Sequence, residues 1–328
     1  MTALREKAIK ENLIPPTYTG EIFQQGCYLY LPIGGPRIKI PSSLSDADKC
    51  EKRFPSVYII GVKKSGTTTL GRYLDLHESL VLANNVRFVA NNGSTVEQFV
   101  QQYLADMPFA MDDQTTVVNY PGYYWTNRKP FFKALPHLPP NPKIIAILRN
   151  PAKRALSDYL HMELTRIRNT KLHRHVPPFA GDDIKPTFEN TVLLPNGSIN
   201  ASLAFVQQGL YAKHLSAFLE YIPKERILLL SGDEFAKNPL PSLKRVEQFL
   251  GLKSFYKDNY FVYNEEKGFF CAEIPTRPDW TCAGKFKGRS HPNVSEEVIL
   301  KLAEFYKPHN RRLATQFNLS RHSFDWID

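Results

Sequence analysis

The run SVYIIGV (56–62), followed by KKSG and then TTTL, constrains the fold of this chain more than any other stretch. Seven residues so rich in β-branched and aromatic side chains read as a strand buried on both faces, as in a parallel sheet. After it, Leu70, Tyr73 and Leu74 recur at helical spacing, so 67–77 is expected to be a helix. Strand, glycine-bearing turn and helix start is the setting of a phosphate loop. Gly61 and Gly66 are spaced as in the nucleotide triphosphatase pattern G-x-x-x-x-G-K-[ST], but Thr67 stands where that Lys belongs. Lys63 and Lys64 precede the second glycine instead. Main-chain N–H groups of 64–69 opening into a helix N-terminus would cradle an anion. The plainer alternative is a Thr-rich helix cap with two surface lysines.

Elsewhere, strands are expected at 80–83, 115–120, 142–151 and 226–235, and helices at 95–107, 152–168, 203–222, 240–252 and 295–317. Alternating strands and helices argue an α/β fold, a doubly wound parallel sheet with helices on both faces. Residues 1–54 carry Gly/Pro punctuation and are expected to be an irregular extension before a single domain at 55–328; 169–200 reads as a surface excursion.

A formal charge of +10 favours an anionic partner. Known nucleic-acid modules and aromatic-interleaved basic repeats are absent, which argues against nucleic acid. No apolar run is long enough to span a membrane, and the polar N-terminus is not a signal peptide. The cysteines lack metal-site spacing, and His173 and His175 have no carboxylate or cysteine nearby in sequence, so no metal is expected. Cys271 and Cys282 flank a short loop, close enough for a disulfide; Cys27 and Cys50 are less telling. Sequons begin at Asn92, Asn196, Asn200, Asn293 and Asn318, which with a disulfide leans towards the secretory lumen. A cytoplasmic location is the alternative.

A second site lies in LRNPAKRALSDY (148–159), where Arg149 ends a buried strand and Ser157 follows on the next helix. Both could converge on one further phosphate, unless Arg149 and Arg154 are solvated or paired with Asp158. Lys64, placed before the second glycine, suits a phosphosulfate, where negative charge builds on the bridging oxygen. An adenosine carrying a 5′-phosphosulfate and a 3′-phosphate needs two anion sites.

These motifs resemble those of sulfotransferases that use 3′-phosphoadenosine 5′-phosphosulfate, closest to the heparan sulfate glucosaminyl enzymes. KGFFC (267–271), CAGKFKGRSHP (282–292) and EEVILKLAEFYKPHN (296–310) extend the likeness. The resemblance implies a sulfotransferase fold of P-loop type and a bridge between Cys271 and Cys282. It implies that Lys63, Lys64, Ser65, Gly66, Thr67, Thr68 and Thr69 hold the 5′-phosphosulfate, with Lys64 assisting the leaving phosphate. Arg149 and Ser157 would hold the 3′-phosphate, and Lys287, Gly288 and Arg289 would close over the cofactor. Phe269 or Phe270 would border the adenine, with core packing as the alternative for each. Adenosine 3′,5′-bisphosphate is the implied product, no metal is needed, and the implied setting is the Golgi lumen.

The acceptor side departs from the family. Asn85 stands where the family carries a glutamate base, Arg87 where it carries a histidine, and Asn119 where it carries a lysine, while Pro121 and Tyr123 remain. A positioned base is worth about 10²–10⁴-fold in rate, and an amide cannot supply it. His77, Glu78 or His161 could replace it. Alternatively the acceptor is a phenol, with its pKa near 10, or the chain binds a glycan and transfers poorly. The leading acceptor is a hydroxyl or amine on an anionic glycan; a small-molecule acceptor is the alternative. A phosphate-loop kinase or hydrolase is the rival enzyme class, disfavoured by the missing post-glycine lysine.

Overall fold

A computed structural model describes residues 3–17, 22–30, 38–39, 50–88, 94–126, 128–171, 187–266, 268–274 and 294–327. At its centre five strands run parallel: β1 (Val57–Gly61), β2 (Leu80–Asn84), β3 (Thr115–Asn119), β4 (Lys143–Leu148) and β5 (Ile227–Ser231), in the order β5-β4-β1-β3-β2. The helices are α1 (Thr67–Leu74), α2 (Val96–Ala105), α3 (Pro151–Lys171), α4 (Tyr211–Leu219), α5 (Gly232–Lys237), α6 (Pro239–Leu250) and α7 (Glu296–Phe317).

Side-chain parity on the strands produces the two-faced core. Tyr58, Ile60, Ile144, Ala146 and Val118 pack on one face with Phe99 and Tyr103 of α2 and Leu215 and Phe218 of α4. Val57, Ile59, Ile145, Ile147 and Val117 pack on the other with Leu70 and Leu74 of α1 and Leu243 and Val246 of α6. Helices therefore cover both faces, which is the doubly wound arrangement the alternating pattern implies. A third cluster joins Ala155 and Tyr159 of α3 to Phe205 and to Leu302 and Tyr306 of α7.

Three expectations differ from the structure. Strand β5 ends at Ser231, because Ser231 Oγ accepts from Glu234 N at 3.2 Å and caps α5; the apolar Phe235 belongs to that helix. The helix expected over 203–222 is two pieces, Ala204–Gln207 and α4, interrupted at Gly209, where a methyl would meet the Tyr306 ring at 2.7 Å. The N-terminal segment is not irregular throughout: Ala3–Lys10 is helical, and Phe23–Gln25, Tyr28–Tyr30 and Ile38–Lys39 form a small antiparallel sheet. Its apolar centre is Ala8, Ile14, Ile22 and Leu29. A disulfide joins Cys27 to Cys50, and the Tyr28 hydroxyl accepts from Phe109 N at 2.7 Å, tying the segment to the rest of the chain.

Candidate active site

In the order β5-β4-β1-β3-β2 the chain leaves β1 for one side of the sheet and later crosses to the other at β4. The carboxyl end of β1 is therefore the switch point, where open α/β sheets form their ligand crevice. The 62–66 turn emerges there. Val62 N donates to Ile147 O at 2.9 Å, which seats the turn against the end of β4, and Ser65 N donates to Val62 O at 3.1 Å. Lys64 has φ +73° and Gly66 φ +110°, so the backbone curls through the left-handed region before α1 begins. Helix α1 has Gly66 at its N-cap and no side-chain cap, leaving its first turn of amides directed at the crevice.

The second anion cluster meets this turn. The Tyr211 hydroxyl donates to Arg149 O at 2.7 Å and lies beside the buried Ser65 hydroxyl. Burial pushes the Tyr211 phenol up to about 12, so it stays a neutral link between the two segments. Lys63 Nζ reaches Asp158 Oδ1 at 2.7 Å, next to Ser157 on α3. Arg149 Nε lies 3.5 Å from Asp233 Oδ1, and Asp233 Oδ2 accepts from Asn150 N at 2.8 Å. Asn150 Oδ1 caps α3 by accepting from Ala152 N at 3.0 Å, and Pro151 occupies its first turn, so the Asn-Pro pair sets where α3 begins.

Beneath these groups Arg154 is fully buried, with Nη1 on Asp158 Oδ2 at 2.9 Å and Nη2 on the Phe205 carbonyl. Burial alone would raise the Asp158 carboxyl; the Arg154 guanidinium and then the Lys63 ammonium overcome that and hold it below the usual carboxylate range. Arg154 and Asp158 are thus a buried ion pair that the partly exposed Lys63 joins from the crevice side of Asp158. Arg154 does pair with Asp158, whereas Arg149 pairs with Asp233.

On the opposite side of the turn lies a cleft of about 280 Å³, lined by Thr67, Thr68, Arg72, Asn84, Asn85, Asn119 and Pro121. Asn119 Nδ2 donates to Thr67 O and to Asn84 Oδ1, each at 3.2 Å, and so ties the end of β3 to the start of α1. Asn85 is exposed with φ +62°, a backbone state that asparagine tolerates better than most residues. Arg87 is exposed and reaches the Tyr120 hydroxyl at 3.5 Å. Tyr123, expected at the acceptor, is instead a core residue: its ring is wholly buried, its hydroxyl meets Val86 O and Tyr103 OH at 3.3 Å, and burial pushes its pKa upward.

His77 is not at this site. It precedes β2, at the amino edge of the sheet, opposite the crevice. Its ring is buried between Phe255 and Tyr256; Nδ1 accepts from Ser79 N at 3.1 Å and Nε2 lies 3.3 Å from Lys253 O. Burial lowers its pKa, so it is a neutral structural imidazole. Glu78 lies at the same wrong edge and is exposed. Phe269 and Phe270 are half-buried on a strand (Phe269–Ala272) paired with Phe261–Asn264, and Phe270 O accepts from Tyr73 OH at 2.7 Å. Cys271 is disulfide-bonded. Cys282, Lys287, Gly288 and Arg289 lie outside the described residues.

Several residues that build the site gave weaker signals in sequence. A methyl on Gly232 would run into the Ser65 carbonyl and sit 3.0 Å from Leu148 O, so only glycine lets α5 approach the turn. Asp233 and Tyr211 show no local pattern, and Gly232 and Asp233 fall inside the strand expected over 226–235. Among the described residues no group of three or more His, Cys, Asp or Glu is placed to hold a metal ion, and no helix is long and apolar enough to cross a membrane.

A family model described as a sulfotransferase domain matches residues 54–313. The chain is 34% identical over 286 residues to heparan sulfate glucosamine 3-O-sulfotransferase 3A1 of Homo sapiens, covering 85% of this chain and 64% of that protein. It is 33% identical over 280 residues to heparan sulfate glucosamine 3-O-sulfotransferase 6 of Homo sapiens, covering 84% and 74%. The chain thus spans just under two thirds of the 3A1 protein's length. A sulfotransferase structure from Alicyclobacillus acidocaldarius shares the fold, with a TM-score of 0.51 at 18% identity over 84% of this chain and 99% of that one. With a matched domain spanning most of its length and relatives at a third identity, the chain belongs to the sulfotransferase family.

Proposed function

We propose that the chain moves a sulfuryl group from 3′-phosphoadenosine 5′-phosphosulfate to a hydroxyl or amine of a heparan-sulfate-like glycan. The observation that carries this reading is the meeting of the 62–66 turn with Arg149 and α3 at one switch point, through Tyr211 and the Lys63–Asp158 contact. The uncapped first turn of α1 fits a 5′-phosphate group, and Arg149 with Ser157 offers a separate place for a 3′-phosphate. When bound, the nucleotide supplies a sulfuryl group on a phosphate leaving group.

The chain's own residues do the rest. Amides of 66–68 and the Thr67–Thr69 hydroxyls hold the 5′ end, and Lys64 stabilises the negative charge that grows on the oxygen between phosphorus and sulfur. Phe269 is assigned to the border of the adenine. Asn85 and Asn119 orient the acceptor but cannot remove its proton. None of the described residues lining the cleft is a carboxylate or imidazole, so the proton leaves by a group outside that lining.

Radiolabelled sulfate donor with a panel of glycans, phenols and amines tests the reading. Label is expected on the glycan, and Lys64→Ala is expected to lower kcat by about 10²–10³-fold with the fold intact, the scale of losing one preorganised charge-stabilising donor. Equal turnover by Lys64→Ala overturns the mechanism. A second reading, a glycan-binding relative with weak transfer, is favoured by the amides at Asn85 and Asn119; glycan binding without label transfer would support it.

We assign the protein to the Golgi lumen or another secretory compartment. The Cys27–Cys50 disulfide and the bonded Cys271 fit an oxidising environment. The sequon residue Asn196 is exposed on a turn, with its Oδ1 accepting from Ser198 Oγ at 2.7 Å.

A further inference from the structure

Two sequons stand in one short segment, at Asn196 and Asn200, and the chain builds a hairpin around the first. After the helical turn Phe188–Val192, Gly197 N donates to Leu194 O and Leu194 N to Ser198 O, each at 2.8 Å. Leu193 bridges Ile199 antiparallel, and Asn200 N donates to Val192 O at 2.8 Å, which closes the foot of the hairpin. Leu193 and Ile199 pack on the third apolar cluster, with Phe188 and Phe205. Pro195 and Asn196 are the central residues of the turn, Pro at the position it favours and Gly197 last. Asn196 is exposed, and a methyl on Gly197 would meet nothing within 4 Å, so the tip stands in open solvent.

The Asn196 amide is held in a definite arrangement. Its Oδ1 accepts from Ser198 N at 3.1 Å and from Ser198 Oγ at 2.7 Å, an Asx turn closed by the sequon's own serine. That pairing assigns Oδ1 to the turn and leaves Nδ2 without an acceptor among the described residues. An amide nitrogen is a poor nucleophile until it loses a proton, and two donors on Oδ1 stabilise the negative charge that then moves onto the oxygen. The other described sequons each lack one half of this combination. Asn200 Oδ1 accepts from Ser202 N at 3.2 Å and Oγ at 2.6 Å, but Asn200 is half-buried at the hairpin foot, where its carbonyl accepts from Leu203 N at 3.4 Å. Asn318 is exposed, but it closes α7 with φ +53°, and among the described residues no contact joins its amide to Ser320. Asn92 and Asn293 lie outside the described residues.

We propose that Asn196 carries an N-linked glycan and is the preferred of the three described sequons. Its Nδ2 forms a bond to the anomeric carbon of an oligosaccharide carried on a lipid pyrophosphate. The bond from that carbon to the pyrophosphate oxygen breaks, the pyrophosphate leaves with the bonding electrons, and Nδ2 gives up one of its two protons to a base of the transferring enzyme. Nothing is oxidised or reduced. A glycan at the tip extends into solvent and disturbs no packed contact, whereas one on Asn200 would press on the hairpin foot. Neither the 62–66 turn nor Arg149 takes part in the hairpin, so the modification leaves nucleotide binding alone. The inference rests on the proposed secretory placement but is tested separately from it.

The test uses protein isolated from cells that make it naturally, digested to peptides and treated with peptide N-glycosidase in heavy-oxygen water. The treatment leaves a heavy-isotope label wherever an asparagine carried sugar. Mass spectrometry is expected to find the label at Asn196 in most copies and at Asn200 and Asn318 in a minority. A non-reducing peptide map of Cys27 and Cys50 from the same sample reports the compartment. Asn196→Gln and Ser198→Ala, made in the same cells, are each expected to lose the mass of one glycan, and Ser198→Thr to keep it. All three should bind adenosine 3′,5′-bisphosphate as wild type does. Label at Asn200 or Asn318 without label at Asn196, or an oxidised Cys27–Cys50 pair with no label anywhere, overturns the proposal while the secretory placement stands. Reduced cysteines with no label overturn both. Equal label at Asn196 and Asn200, or full glycan mass in Ser198→Ala, also overturns the proposal.

Discussion

At Gly232 the backbone of α5 comes so close to the Ser65 carbonyl that no side chain fits, and the approach is backbone against backbone. Gly232→Ala must therefore push the turn and α5 apart, and overpacking of this kind costs about 1–3 kcal/mol. The expected outcome is a lower midpoint in denaturant unfolding together with weaker binding of adenosine 3′,5′-bisphosphate. At His77, by contrast, both ring nitrogens are engaged within a buried aromatic pocket, so His77→Ala should lower the unfolding midpoint and leave kcat of the folded fraction unchanged. A loss of kcat at constant stability would restore His77 as a catalytic residue. The 61–69 loop was legible in sequence because its chemistry is local: spaced glycines, two lysines and a run of threonines. His77 was misplaced because nothing in a sequence says at which edge of a sheet the end of a helix lies. Tyr123 was misplaced for a related reason, since a tyrosine's hydroxyl can serve the core as readily as a ligand.

Helix α3 is the element on which the nucleotide reading turns. It carries the half-buried Ser157 and, one residue on, places Asp158 in a buried pair with Arg154. Removing one partner of a buried pair strands the other charge and costs about 3–5 kcal/mol. Asp158→Asn is expected to destabilise by that order in urea unfolding and to release Lys63; a change below about 0.5 kcal/mol would show the cluster to be solvated. The i,i+4 spacing of Arg154 and Asp158 was visible in sequence, but a spacing alone does not distinguish a surface pair from one sealed under Phe205. The strands themselves were legible from their apolar runs. The end of β5 was not, because Ser231 and Gly232 can finish a strand or open a helix; the Ser231 cap on Glu234 opens α5, and its close approach to Ser65, far away in sequence, is not written in the local pattern.

Across the whole molecule, acid is expected to loosen the fold before it protonates most carboxylates. His214 is buried, with Nε2 2.9 Å from Gln207 O and Nδ1 3.2 Å from Arg128 Nη1, and burial lowers its pKa to about 4. In the unfolded chain a histidine takes up its proton near pH 6.5. Between those values the unfolded state binds more protons, so this group's contribution is fully present above about pH 6.5 and is lost as pH falls through about 4, on the order of 3 kcal/mol in all. Tm measured from pH 7 to pH 4 should fall, and fall less in His214→Gln once its own baseline is subtracted. Sheet order is a whole-molecule property too: alternation of strands and helices indicated a doubly wound sheet, but only the β5-β4-β1-β3-β2 order shows that the turn and Arg149 share one crevice. The central claim is that this crevice grips a single nucleotide by two phosphates. Calorimetry with adenosine 3′,5′-bisphosphate, adenosine 5′-phosphate and ATP tests it directly, on wild type and Arg149→Ala. Wild type should prefer the bisphosphate by at least about tenfold, the scale of one charge-assisted contact, and Arg149→Ala should lose that preference while still binding the 5′-phosphate. Equal affinity for the three nucleotides, or a preference for ATP, would contradict the account.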